Sequence, residues 1–220
     1  MIIYIGYEEK YPESYEVCKA SIERFGDHDI RPLRKKNLDM YTREYQGEST
    51  DFAFTRFLVP HLSDYKGISL FCDGDFLWRS DPSELSKYIA MFMTVSVVKH
   101  PKLVTSTFTK MDGKTNRPYP RKYWSSLMLF NNSACTKLTP EYVNEAPAGA
   151  LHSFEWADKI GNIPATYNHM IGYYNMLNPK AVHFTDGGPW LEEYREQPYA
   201  EEWINLHAVS YTHLTLPTKA

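Results

Sequence analysis

Two aspartates one glycine apart, Asp73 and Asp75 in GISLFCDGDFLWRSDP (67–82), are the residues best placed to do chemistry in this sequence. They close a short apolar run, Ile68 to Cys72, that reads as a buried strand bounded by Gly67 and Gly74. A carboxylate at the end of such a strand resists desolvation unless something pairs with it or coordinates it. Strand side chains alternate between faces, so the two acids are expected on one side, aimed at one cation or one polar ligand. Gly74 lets the chain turn, or lets a ligand approach the backbone. The competing reading is that the acids only cap a turn ahead of a helix.

The surrounding elements set where these acids sit. Ile2 to Tyr7 reads as a first strand and Pro12 to Phe25 as a helix, with Tyr15, Cys18, Ile22 and Phe25 on one face. A weak strand is expected near Ile30 to Leu33, then an irregular polar stretch, KKNLDMYTREYQGES. Ser49 or Thr50 suits the N-cap of a helix through DFAFTRFLVPHL that ends near Pro60. After the aspartates come a short helix from Asp81-Pro82, a β-rich run MFMTVSVV, and a loop from Lys99 to Lys122. A strand YWSSLMLFNN follows, then helices at TPEYVNEA and around LHSFEWADKI, the segment PATYNHMIGYY, PKAVHFTDGGPW, and a helix LEEYREQPYAEEWINL. Strands alternating with helices in this order argue for an α/β layered fold.

The composition excludes some classes. The 220 residues carry a net charge of −3, which gives no basic footprint for nucleic acid. No run approaches the roughly 18–20 apolar residues of a membrane span, and MIIYIGYEEK lacks a basic leader, so a cytoplasmic location is expected. The three cysteines are scattered without metal-type spacing, as expected of small core residues in a reducing compartment. The 17 tyrosines offer flat faces with polar tips, which suit nucleobases and sugars as well as ordinary packing. AVSYTHLTLPTKA reads as a non-native tail over 208–220, leaving one domain over 1–207 with a truncated C-terminus.

TRFLVP, the strand ending in DGD, SSLMLFNN and HFTDGGPW together make a sequence that resembles the GT-A fold glycosyltransferases, most closely glycosyltransferase family 8, the glycogenin and galactosyltransferase-like group. The resemblance covers roughly Met1 to Trp190 and implies a Rossmann-like mixed sheet flanked by helices. It implies a nucleotide-sugar donor, most often UDP-linked, held by Mn²⁺ (or Mg²⁺), and a saccharide, glycan or protein acceptor. On this match Asp73, Asp75 and His183 are the metal ligands. Gly6 and Tyr7 lie in the nucleoside region, Arg56 near the donor, and Ser126 toward the donor sugar. Gly188, Pro189 and Trp190 lie behind the diphosphate. Retention of anomeric configuration is implied as well, although no residue stands out as nucleophile or base.

There are departures and rivals. The family's lysine before Pro-Trp is here Gly188, and its later Asp-Gln pair has only Glu155 and Asp158 as loose counterparts. One rival is a nucleotide-sugar or carbohydrate-binding module that keeps the fold without turnover. Another is a haloacid dehalogenase-type phosphatase, but Leu77 stands where that chemistry expects a small hydroxyl residue.

Overall fold

A computed structural model describes residues 1–100 and 121–215, with side chains as far as residue 210. Six strands form the main sheet: β1 (Ile2–Gly6), β2 (Asp29–Leu33), β3 (Ile68–Cys72), β5 (Val95–Val97), β6 (Leu127–Asn131) and β7 (Ile160–Asn162). They lie in the order β2-β1-β3-β6-β5-β7. β1 runs parallel to β2 and β3, β6 is antiparallel to β3 and β5, and β7 is parallel to β5. A second sheet joins β4 (Phe76–Trp78), β9 (Ala181–His183) and β8 (His169–Met170).

The pleat explains the apolar runs. Ile3, Ile5, Leu70, Cys72, Leu127 and Leu129 face one cluster with Cys18 and Ile22 of α1 (Pro12–Glu23). Tyr4, Phe71, Met128 and Phe130 face the other, with Phe57, Phe154 and Trp156. Both faces of the sheet are covered, so its central strands are apolar at nearly every position. A third cluster sets Val17 of α1 and Leu77 against Val182, Phe184 and Trp203 of α5 (Ala200–Thr215).

Several expected elements differ. The helix expected across DFAFTRFLVPHL is instead a turn, a 3₁₀ segment (Thr55–Leu58) and the short α2 (Val59–Leu62). Pro60 has no N–H to continue a helix from Phe54 onward, but it fits the first turn of a new one. Helix α3 (Pro140–Glu145) starts as expected, with the Thr139 side chain accepting from the Tyr142 N–H. In LHSFEWADKI, α4 (Ala148–His152) stops early because Phe154 takes φ +60°. Phe154 and Trp156 both enter the core, a spacing no α-helical face provides. The last helix begins only at Ala200, since Glu192–Tyr194 is 3₁₀, and it runs on through Thr215 into the segment expected as a tail. Strands β4, β7, β8 and β9 have no counterpart among the strands expected from sequence. Gly161 of β7 is required by close approach: a Cβ there would lie 2.2 Å from Ser96 Oγ. Most of the expected Lys99–Lys122 loop (101–120) lies outside the described residues. Among the described residues no helix is long and apolar enough to cross a membrane.

Candidate active site

β1 connects to β2 on one side and lies beside β3 on the other, which makes their carboxyl ends a topological switch point, where open α/β sheets bind ligands. Asp73, Gly74 and Asp75 form the turn between β3 and β4 at this edge. The convergence of the two acids therefore comes from a turn, not from alternation within one strand. A Cβ on Gly74 would lie 2.4 Å from the Gly6 carbonyl oxygen, so the turn rests directly on the end of β1. The Asp73 N–H donates to the Ser126 carbonyl at 3.0 Å and fixes the turn to the start of β6.

His183 arrives through the second sheet. β4 pairs with β9 so that Phe76 faces His183, and the Phe184 N–H donates to the Asp75 carbonyl. The imidazole stacks on Phe76 at 4.5 Å between centroids. Its Nε2 lies 3.2 Å from Asp75 Oδ1 and 4.0 Å from Asp73 Oδ2. One ligand atom from each of Asp73, Asp75 and His183 falls within 4.8 Å of the others.

The hydrogen-bond chain behind His183 assigns its tautomer. Ser126 Oγ donates to the Tyr123 carbonyl, so it accepts from Asn168 Nδ2 at 2.9 Å. The Asn168 carbonyl oxygen then accepts from His183 Nδ1–H, also at 2.9 Å. Nε2 thus faces the two carboxylates, where it can either carry a second proton toward Asp75 or, in the neutral ring, offer its lone pair to a cation held between them. Two carboxylates and one neutral imidazole suit Mn²⁺ or Mg²⁺, the nitrogen favouring Mn²⁺.

Arg56 is part of the same construction. Its Nη1 lies 2.8 Å from Asp73 Oδ1 and donates to the Ser125 carbonyl, while its Nε donates to the Phe52 carbonyl. It is 6 % exposed, so it is a buried clamp and not a solvated charge. Beside it opens a cavity of about 390 Å³, lined at the metal-ligand cluster by Asp73, Asp75 and Thr185 and elsewhere by Ser125, His152, Ser153 and the loop Glu48–Thr50. His152 Nδ1 is 3.0 Å from Ser125 Oγ. Burial, then the charges of Arg56 and Arg43, lower its pKa to about 3, so the ring is neutral near pH 7.

No protein-family model matches the sequence. It is 40 % identical over 221 residues to Protein CDI of Arabidopsis thaliana, across 92 % of this chain and 84 % of that protein. The chain belongs to the Protein CDI family. Among solved structures, this CDI-family chain is similar to the bifunctional glycosyltransferase WbbM, with TM-score 0.64 and 15 % identity over 96 % of this chain. It spans about half of WbbM, 51 % of that chain. It is also similar to the galactosyltransferase LgtC in complex with donor and acceptor sugar analogues, with TM-score 0.59 and 12 % identity over 100 % of this chain and 98 % of that one. The glycosyltransferase GlyE of Streptococcus pneumoniae TIGR4 gives TM-score 0.60 and 13 % identity over 96 % of this chain and 63 % of that one. These likenesses show the fold, which is GT-A.

The fold brings Asp73, Asp75, His183, Arg56 and Ser126 of this CDI-family chain together. Gly6 and Tyr7 lie at the adjoining end of β1: a Cβ on Gly6 would meet the Phe52 ring at 2.6 Å, and Tyr7 is covered by the Arg34 guanidinium at 3.8 Å. Gly188 lies under the Trp190 ring, which in turn leans on Tyr11 and Trp203. Glu155 and Asp158 are exposed, and Asp158 sits 3.7 Å from Lys137, so neither lines the cavity. Sequence reasoning did not pick out Asn168, His152, Ser125 or Glu48. The only signal for Asn168 was a polar residue inside the otherwise aromatic run TYNHM.

Proposed function

We propose that this chain is a metal-dependent glycosyltransferase, built on one domain over residues 1–207. In this reading it moves a sugar from a nucleotide donor, UDP-linked, to a saccharide, glycan or protein acceptor with retention of anomeric configuration. The observation that carries it is the convergence of His183 Nε2 with the carboxylates of Asp73 and Asp75 at the switch point of a GT-A sheet. When bound, a divalent ion supplies Lewis-acid stabilisation of the departing diphosphate. Arg56 holds the Asp73 carboxylate toward that position, and Asn168 orients the His183 ring so that Nε2 points there. The glycines of DGGPW make room for rings, Tyr194 against Gly187 and Trp190 against Gly188, and the Gly187 N–H is already donated to the Phe184 carbonyl.

The test is UDP binding with and without Mn²⁺, alongside release of UDP from UDP-sugars. At a ligand concentration of about 100 Kd, linkage gives about 2.7 kcal/mol of stabilisation. For a chain of this size that raises Tm by about 5–10 °C, and EDTA should remove the rise. Absence of any Mn²⁺-dependent UDP binding would refute the proposal.

A second reading, nucleotide-sugar binding without turnover, is favoured by one feature. Where a lysine would reach the leaving phosphate, a Cβ on Gly188 would lie 2.0 Å from the Trp190 ring, so that ring fills the place of a side chain. Tight UDP-sugar binding with no UDP released would select this reading.

A further inference from the structure

A third acid lines the cavity beside the metal-ligand cluster and has no role in the reading above. The Glu48 side chain is only 5 % exposed. Its Oε2 accepts from the Gln46 N–H at 2.7 Å, while Oε1 is buried without a hydrogen-bond partner. The Lys35 ammonium is 3.9 Å from Oε1, beyond hydrogen-bond reach. A buried carboxylate oxygen left without a donor is costly, and a ligand hydroxyl in the cavity would relieve that cost.

The rest of the lining fits a neutral polyhydroxy ring. Ser125, Ser153 and Thr50 supply hydroxyls, and His152 is uncharged. Among the described residues Arg56 is the only Lys or Arg lining the cavity, and Asp73 and two backbone carbonyls already engage it. Gly6 and Tyr7, the expected nucleoside contacts, do not line this space, which leaves it for the sugar. An anionic sugar placed here would meet the charge of Glu48 with no uncommitted cation on the cavity wall.

On the glycosyltransferase reading, we propose that Glu48 determines donor specificity: Oε1 accepts a hydrogen bond from a hydroxyl of a neutral transferred sugar, and its charge rejects sugars bearing a carboxylate. The test is calorimetry with Mn²⁺ on the wild type, Glu48→Gln and Glu48→Asp, using UDP, UDP-glucose, UDP-galactose, UDP-xylose and UDP-glucuronic acid. The wild type should bind its best neutral donor at least tenfold tighter than UDP-glucuronic acid. Glu48→Gln should shrink that ratio at least threefold while UDP affinity stays within twofold, and Glu48→Asp should preserve the ratio. UDP-glucuronic acid binding as tightly as the neutral donors, or a ratio that Glu48→Gln leaves unchanged, would overturn the assignment. If UDP itself failed to bind the wild type, the glycosyltransferase reading would fall first and this assignment with it.

Discussion

Replacing Asn168 by leucine should weaken metal binding without touching any metal ligand. Asn168 is 0 % exposed and makes two side-chain bonds of 2.9 Å, one from His183 Nδ1 and one to Ser126 Oγ. Leucine is close to isosteric, so little volume changes, but His183 Nδ1–H loses its acceptor and Ser126 Oγ its donor. At about 1–3 kcal/mol for each of these two groups left unsatisfied, the fold loses about 2–6 kcal/mol. The imidazole is then free to rotate or to exchange tautomers, and loss of such an outer partner typically costs about 10–100-fold in metal affinity. Asn168→Asp separates the effects, because a carboxylate still accepts from Nδ1–H and makes the ring a better donor. Calorimetric Mn²⁺ titration in the presence of UDP, with urea melts run in parallel, reads both quantities. The expected pattern is a loss of ten-fold or more for leucine and near wild-type affinity for aspartate. If Asn168→Leu bound Mn²⁺ as tightly as the wild type, the tautomer argument would be refuted.

Two further outcomes follow from the same geometry. Arg56→Ala leaves Asp73 partly buried without its cation and should cost about 3–5 kcal/mol in urea unfolding. Arg56→Lys should recover less than half of that, since one ammonium cannot span the Asp73 carboxylate and the Phe52 and Ser125 carbonyls; full recovery would contradict the clamp. His152, held at about 3 against an ordinary 6.5, binds fewer protons folded than unfolded between those values. Stability is therefore complete above about pH 6.5 and falls as the pH drops toward 3, by up to about 1.4 kcal/mol per unit from this group. His152→Gln should flatten the decline of Tm between pH 6.5 and 4, and an unchanged slope would refute it.

The parts of the molecule legible in its sequence are those set by local pattern. The β1, β3 and β6 runs are apolar because both faces of the sheet are covered, and Asp73 and Asp75 are conspicuous because they end one of those runs. Arg56 and His183 were reached only through resemblance, since a lone arginine or histidine has no local signature. Asn168, Ser125 and Glu48 depend on how β8 meets β9, how β6 is entered, and how the loop at 48–50 returns to the cavity, all of which are long-range facts. Two of the expected helices are broken by features a one-dimensional pattern does not weigh, Pro60 in one and the αL backbone of Phe154 in the other.

The pairing of Phe76 with His183 makes the metal-ligand cluster an all-or-none object. Side chains on β9 alternate with a period of two, so sliding that strand by one residue toward either end would turn Val182 or Phe184 toward the acids and bury the imidazole elsewhere. No partial arrangement lies between. Cation binding should therefore report, during refolding, the moment at which the small sheet locks into register, and a chain with a slipped strand should be blind to the ion however native the rest of it looks.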